Sequence, residues 1–357
     1  MSFGVTDRLA LDGGNRTWYG IALAFLVVMP FVLPPFQTKL LAEVLIFGIF
    51  ATAFNLLYGY TGLLSFGHAM FIATAGYGVA KVVRVVAPAL NFPEIFGGAS
   101  LLVTFVLAII VGVLVATLFA VFIGYLSVQL TDIYFALITL SFSMAIYYLA
   151  LANIGGFTNG SDGLTFLLGD VNLFGLQFEI VNIVDPIVYY YIVFVVFVGA
   201  MYALWRIVNS PFGMTCRAIR ENPDRAEAMG INVTRHSWVA FIISGAFSGL
   251  AGSILIPLLT NVNPDHAYWT SSADPVIMTV LGGPYSFLGP LAGAFTYRYL
   301  RWGVSRFPAL EAHWQLVMGF IILLVVLFFN EGIAGGLKSI RAWVLGRVGG
   351  DRASSAD

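Results

Sequence analysis

The sequence predicts an all-α, polytopic integral membrane protein forming one transmembrane domain over residues 1–357, and three observations carry that prediction. Hydrophobic residues make up 59% of the chain and charged residues 10%, against about 25% charged in soluble domains. Mean hydropathy is +0.91. Several uncharged apolar runs reach the roughly 20 residues a helix needs to cross about 30 Å of hydrocarbon. The runs are also too long and too unalternating for barrel strands, and an unpaired backbone is costly in lipid, so helices are what remain.

Apolar length read against Gly, Pro and polar punctuation places spans at 17–36, 40–59, 62–86, 100–127, 133–152, 187–208, 237–259, 271–282, 286–303 and 314–330. The expectation is therefore about ten transmembrane helices. The 271–282 segment is short enough to be a re-entrant half-helix instead, which leaves eight or nine open. The first run lacks a small-residue cleavage site beside it and reads as a retained span.

Positive residues mark the cytoplasmic side. The loop 209–236 holds Arg217, Arg220, Arg225 and Arg235, with Arg206 just before it, whereas Asn153 to Pro186 carries Asp162, Asp170, Glu179 and Asp185 and no Lys or Arg. The first loop is inside and the second outside, joined there by Asn261 to Ser271. Both termini then fall inside, beside Arg8 and Arg16 at one end and Lys338, Arg341 and Arg347 at the other. Lys39, Lys81, Arg84, Arg298, Arg301 and Arg306 fall toward the outer face against the rule. The tail 331–357 is cytoplasmic, with Ile333, Leu337, Ile340, Trp343 and Val344 on one helical stripe suited to the membrane surface, a short frayed end being the alternative reading.

The loop 209–236 predicts its own short helix. Asn222 can cap, Pro223 suits the first helical position and Asp224 complements the dipole in the first turn. The helix runs Pro223 to Met229, where Gly230 supplies a positive-φ terminus and Ile231 an apolar contact. Two turns are too few to stand alone in water. A charge run usually faces solvent, but Ala226, Met229 and Ile231 set an apolar patch among the charges, as on a protein-binding knob.

Other chemistries lose their footing. A net charge of −1 supplies no field for nucleic acid. Cys216 is the single cysteine, so neither an internal disulfide nor a thiolate metal cluster follows. The only lysines are Lys39, Lys81 and Lys338, none within a phosphate-binding P-loop, so this chain has no such ATPase site. His68, His236, His266 and His313 are scattered singly, which excludes a HExxH-type enzyme. No catalytic or metal-binding residue is expected.

Within the spans, small residues crowd "GYTGLLSFGHAMFIATAGYG" and "LGGPYSFLGPLAGAF", and Gly245, Gly249 and Gly252 recur at helical spacing; tight packing is their first meaning. A second meaning is a broken helix near a cavity. On that reading Ser65, Gly67, His68, Asp274, Gly282 and Gly283 are candidates for a solute pathway, although His68 reads first as a satisfied structural histidine and Asp274 as a helix start. Glu43 reads as interfacial.

Five stretches occur in one order: "GYTGLLSFGHAMFIATAGY", "IYFALITLSFSMAI", "TNGSDGL", "SPFGMTCRAIRENPDRAEAMGINVTRHSWVAFIISGAFSGLAGSIL" and "VLGGPYSFLGPLAGA". Together they resemble the M-type permease subunit of bacterial branched-chain amino acid ABC importers, over roughly residues 40 to 330. The resemblance implies a multi-pass protein of the bacterial inner membrane, forming half of a pathway with a second permease, in a heterodimer. Two cytoplasmic ATPases would bind ATP and Mg, and a periplasmic binding protein would deliver substrate; the chain itself would hold no cofactor. The coupling helix falls on Pro223, Asp224, Arg225, Ala226, Glu227, Met229 and Gly230. Arg225 departs from the importer signature's first alanine, and the downstream Ile-x-Leu-Pro is missing. The competing expectation is a self-sufficient secondary transporter or channel, against which the poverty of buried acids speaks.

Overall fold

The structure, a computed structural model, describes residues 23–130, 132–166, 170–173, 176–179, 186–307 and 313–328. The expected tail stripe at 333–344 lies outside them. Helices dominate: α1 Pro35–Thr61, α2 Ala69–Lys81, α3 Ser100–Ser127, α4 Asp132–Leu151, α5 Ile187–Val208, α6 Pro211–Glu221, α7 Pro223–Ala228, α8 Val233–Leu259, α9 Trp269–Gly282, α10 Gly289–Ser305 and α11 Trp314–Phe328. A π-helical stretch, Val82–Val86, and a final turn, Ala87–Ala89, prolong α2.

Among the described residues six helices are long and apolar enough to cross a membrane: 35–61, 69–89, 100–127, 133–151, 187–208 and 233–259. They coincide with six of the ten expected spans. The last three described helices have 14, 17 and 15 residues, below the roughly 20 of a full perpendicular crossing. Of the expected first span, residues 23–36 are described, as a helical stretch running into a 3₁₀ turn at Met29–Phe31, with Pro35 and Phe36 already opening α1. The expected span 62–86 is corrected at its start, because residues 62–68 form no regular helix and α2 opens only at Ala69.

Pro35 sits in the first turn of α1, where its missing N–H costs nothing. Leu63 N–H reaches Leu57 C=O at the other end, satisfying carbonyls the helix leaves open. This helix is apolar all round, and it is buried along nearly its whole length with α5, α8 and α10 packed about it. On α3 and α4, by contrast, large apolar residues such as Leu118 and Ile133 face outward.

Lipid is as apolar as the side chains, so the bundle is held by close packing. Gly245 and Gly249 of α8 face Ala120 and Ala116 of α3, while Gly252 lies against the Ile72 backbone of α2. The α9–α10 hairpin closes in the same way: Gly293 lies on the Met278 carbonyl and Gly282 on Gly289.

Among the described residues four short strands add to the helical expectation. Strand β1 (Leu164–Thr165) pairs antiparallel with β4 (Asn261–Val262), in register Leu164 to Val262, and β2 (Asp170–Leu173) pairs with β3 (Leu176–Glu179) as a hairpin.

Candidate functional site

The charged loop folds as two helices of different exposure. On α6, Gly213, Cys216 and Ile219 are buried at three-residue spacing, pressing one stripe onto the bundle. Flanking cations fasten it. The Arg217 guanidinium lies 5.0 Å from the Tyr60 ring and that of Arg220 lies 4.6 Å from the Tyr285 ring. Arg220 Nη1 also donates to the Gly59 carbonyl. One side chain thereby joins α6, the last turn of α1 and the turn between α9 and α10. Burial pushes the Cys216 thiol up to about 11, and the thiol is fully enclosed.

Helix α7 stands free by comparison. The Asn222 side-chain oxygen accepts from the Arg225 N–H at 2.8 Å, with Pro223 in the first turn and Asp224 beside the helix start. At its other end Gly230 N–H reaches Glu227 C=O at 2.8 Å and Ile231 N–H reaches Ala226 C=O at 3.1 Å, which requires φ of +84° at Gly230. Only Ala226 is buried within the helix; Pro223, Asp224, Arg225, Glu227, Met229 and Gly230 are all exposed. A second cap, Asn232 accepting from the Arg235 N–H at 2.8 Å, starts α8 immediately afterwards. Every free end is satisfied locally, so α7 projects as a preformed knob.

The non-helical stretch 62–68 is stitched by tertiary bonds. Thr139 Oγ1 accepts from Phe66 N–H at 3.2 Å, and Ser272 Oγ of α9 accepts from Ala69 N–H at 3.1 Å. Gly67 lies on the Thr139 carbonyl, where a Cβ has no room. His68 is fully buried, its Nδ1 2.9 Å from Ser65 Oγ and its Nε2 2.8 Å from Ser244 Oγ. Ser244 spends its proton on Ala53 C=O at 2.6 Å, so it accepts from Nε2–H. Ser65 accepts from Gly67 N–H at 3.3 Å and donates to Nδ1. The network thus assigns a neutral imidazole with its proton on Nε2. Phe54, Phe71 and Phe241 enclose the ring at 5.1, 5.5 and 5.9 Å between centroids.

The remaining candidates lie along α9 and the turn that follows. Asp274 accepts from the Tyr297 hydroxyl at 2.6 Å, Gly282 ends the helix, and Gly283 turns at φ +106°. Ser65, Gly67 and His68 therefore meet α9 through Ser272, whereas Gly282 and Gly283 lie at its far end, about 15 Å along the axis at 1.5 Å per residue. Among the described residues no cluster of three His, Cys, Asp or Glu could hold a metal ion.

Residues 37–327 match the family described as the branched-chain amino acid transport system permease component. The chain belongs to this permease family. Over 345 residues the permease is 24% identical to the high-affinity branched-chain amino acid transport system permease protein LivM of Salmonella typhimurium, covering 91% of this chain and 76% of that one. The same figures hold for LivM of Escherichia coli. It is also 28% identical over 163 residues, 44% of each chain, to the fructose import permease protein FrcC of Rhizobium meliloti. No solved structure matches the chain.

Sequence reasoning missed the residues that organise the permease's charges. Glu43, read as interfacial, is buried in an ion pair with Arg298, which also lies 4.8 Å from the Phe47 ring. Arg301 and Arg306 rest on Trp314 and Trp302 at 4.8 and 4.6 Å. These three cations fall against the charge rule, and each has a partner among the described residues. Ser244, Ser272 and Tyr285 carried no signal beyond their small or aromatic character.

Proposed function

We propose that this multi-pass permease is a membrane subunit of an ATP-driven importer for branched-chain or related amino acids and small solutes in the bacterial inner membrane. It forms half of the translocation pathway with a second permease. Two cytoplasmic ATPases supply the energy, binding ATP and Mg, and a periplasmic binding protein delivers the solute. The chain itself catalyses no reaction and has no ATPase site of its own. The observation that carries this reading is the exposed, doubly capped helix Pro223–Ala228 with its Gly230 terminus on the Arg-rich face. Its projecting surface of Asp224, Arg225, Glu227 and Met229 would seat in the ATPase, and α6 would convey the displacement to the bundle.

On this reading the break at Ser65, Gly67 and His68, together with Asp274, Gly282 and Gly283 on and after α9, borders the solute pathway. The substrate class is kept broad because the relatives include a permease named for fructose import as well as those named for branched-chain amino acids. The test deletes Pro223 to Gly230 and bridges the gap with a Gly-Ser linker. Loss of ATPase copurification and of uptake, with the bundle still folded in detergent, is expected. Uptake by the isolated chain in liposomes under an ion gradient would refute the assignment and establish a self-sufficient transporter.

A further inference from the structure

We infer that the permease binds the phosphate of an anionic phospholipid in the cavity beside Lys81 and Arg84, in the leaflet opposite the Arg-rich loop. The cavity measures about 270 Å³ and is lined by Lys81, Arg84, Val85, Gly156, Asn159 and Leu164. It therefore lies between the far end of α2 and the loop that follows α4. The stretches Asn153 to Pro186 and Asn261 to Ser271 contain no Lys or Arg. Lys81 and Arg84 are the charged groups among the residues that line the cavity, contrary to the usual charge placement.

Neither cation meets a carboxylate within ion-pair distance among the described residues, where Glu43–Arg298 is the pair that forms. Lys81 has instead an aromatic seat: its Nζ lies 4.2 Å from the Phe157 ring centroid. That contact fixes the ammonium and leaves its charge uncancelled. Arg84 stands one turn further on and is exposed. The π-helical stretch Val82–Val86, of the kind often found at functional sites, carries it. Residues three apart share a helix face, so both charges border one cavity.

The rim names the ligand. Val85 on the cavity wall is 51% exposed, and Phe157, which seats Lys81, is 54% exposed. A water-filled anion site has no use for such a border, but a lipid has one: its phosphate sits between ammonium and guanidinium while its acyl chains run down the apolar rim. Basic pockets flanked by lipid-facing surface recognise net negative headgroups over zwitterionic ones for the same reason.

Native mass spectrometry of the full chain in detergent tests this with phosphatidylglycerol, phosphatidylcholine and inorganic phosphate as separate additions. Wild type is expected to retain phosphatidylglycerol in preference to the other two. Removing one cation should weaken retention about fivefold and K81Q/R84Q about 30-fold. Exposed Arg84→Gln alone serves should the double variant fold poorly, and unchanged thermal unfolding certifies each variant. Equal retention by wild type and folded variants, or equal retention of phosphatidylcholine, overturns the inference. So does unchanged lipid retention in K81Q/R84Q accompanied by weakened binding of the external binding protein, which would assign the cations to a protein partner.

Discussion

Replacing Arg220 with alanine should uncouple ATP turnover from solute movement without detaching the ATPase. Arg220 makes two contacts: a charged hydrogen bond to the Gly59 carbonyl and a stacking contact at 4.6 Å with the Tyr285 ring. A charge-assisted bond contributes about 1.5–3 kcal/mol, and a partly exposed cation–π contact about 0.5–1 kcal/mol. Together they hold α6 to α1 and to the α9–α10 turn by roughly 2–4 kcal/mol, a 30- to 700-fold bias at 1.4 kcal/mol per decade. Helix α7 lies outside this clamp, so its docking surface stays intact in the variant. The assay is solute transported per ATP hydrolysed by the reconstituted complex. Arg220→Ala should keep ATP hydrolysis and ATPase copurification while the ratio falls at least tenfold. Arg220→Lys retains a charged donor but not the planar face, and should fall between. Tyr285→Phe should behave as wild type, and Tyr285→Ala should lose about fivefold, matching the stacking contact alone. An unchanged ratio in Arg220→Ala would refute the clamp. Equal loss of ratio and thermal stability would reduce it to a folding contact.

Glu43→Gln should destabilise the bundle by about 3–5 kcal/mol, because Arg298 is then left buried without its counter-charge, whereas Glu43→Gln/Arg298→Met should recover most of that loss; Tm in detergent reads both. Gly293→Ala drives a methyl into the Met278 carbonyl and should cost about 1–3 kcal/mol, seen as protease sensitivity of the α9–α10 turn. Cys216, enclosed and with its thiol raised to about 11, should react with maleimide at pH 7.5 at least a hundredfold more slowly than a cysteine placed at exposed Met229. Its rate should climb with pH toward that value, since the reactive thiolate grows tenfold per unit below it; rapid labelling in the folded protein would contradict its packing.

What the sequence discloses divides along the range of the interactions involved. Helix α7 is legible because its determinants are local: Asn222, Pro223 and Gly230 act within one or two turns. The α8 glycines are equally legible, since a small residue at regular spacing has one dominant use. The start of α2 was misplaced because 62–68 is apolar enough to extend a helix, and what holds it otherwise is remote, Thr139 and Ser272. Arg298 looked misplaced for the same reason, its partner lying 255 positions away at Glu43. Arg220 read only as a mark of the cytoplasmic side, because the Gly59 carbonyl and Tyr285 ring are brought to it only by assembly of the bundle. The candidate pathway residues form two groups that meet α9 at opposite ends, a separation that composition does not encode.

The pairing of Leu164 with Val262 and Thr165 with Asn261, extended by Phe166 N–H on the Thr260 carbonyl at 3.0 Å, restricts how the molecule can flex. This stitch yokes the segment leaving α4 to the end of α8, so those two cannot part like jaws at that face. A swing admitting cargo there has to be borne by neighbours free of the stitch, with the ribbon serving as the fixed jamb of the door.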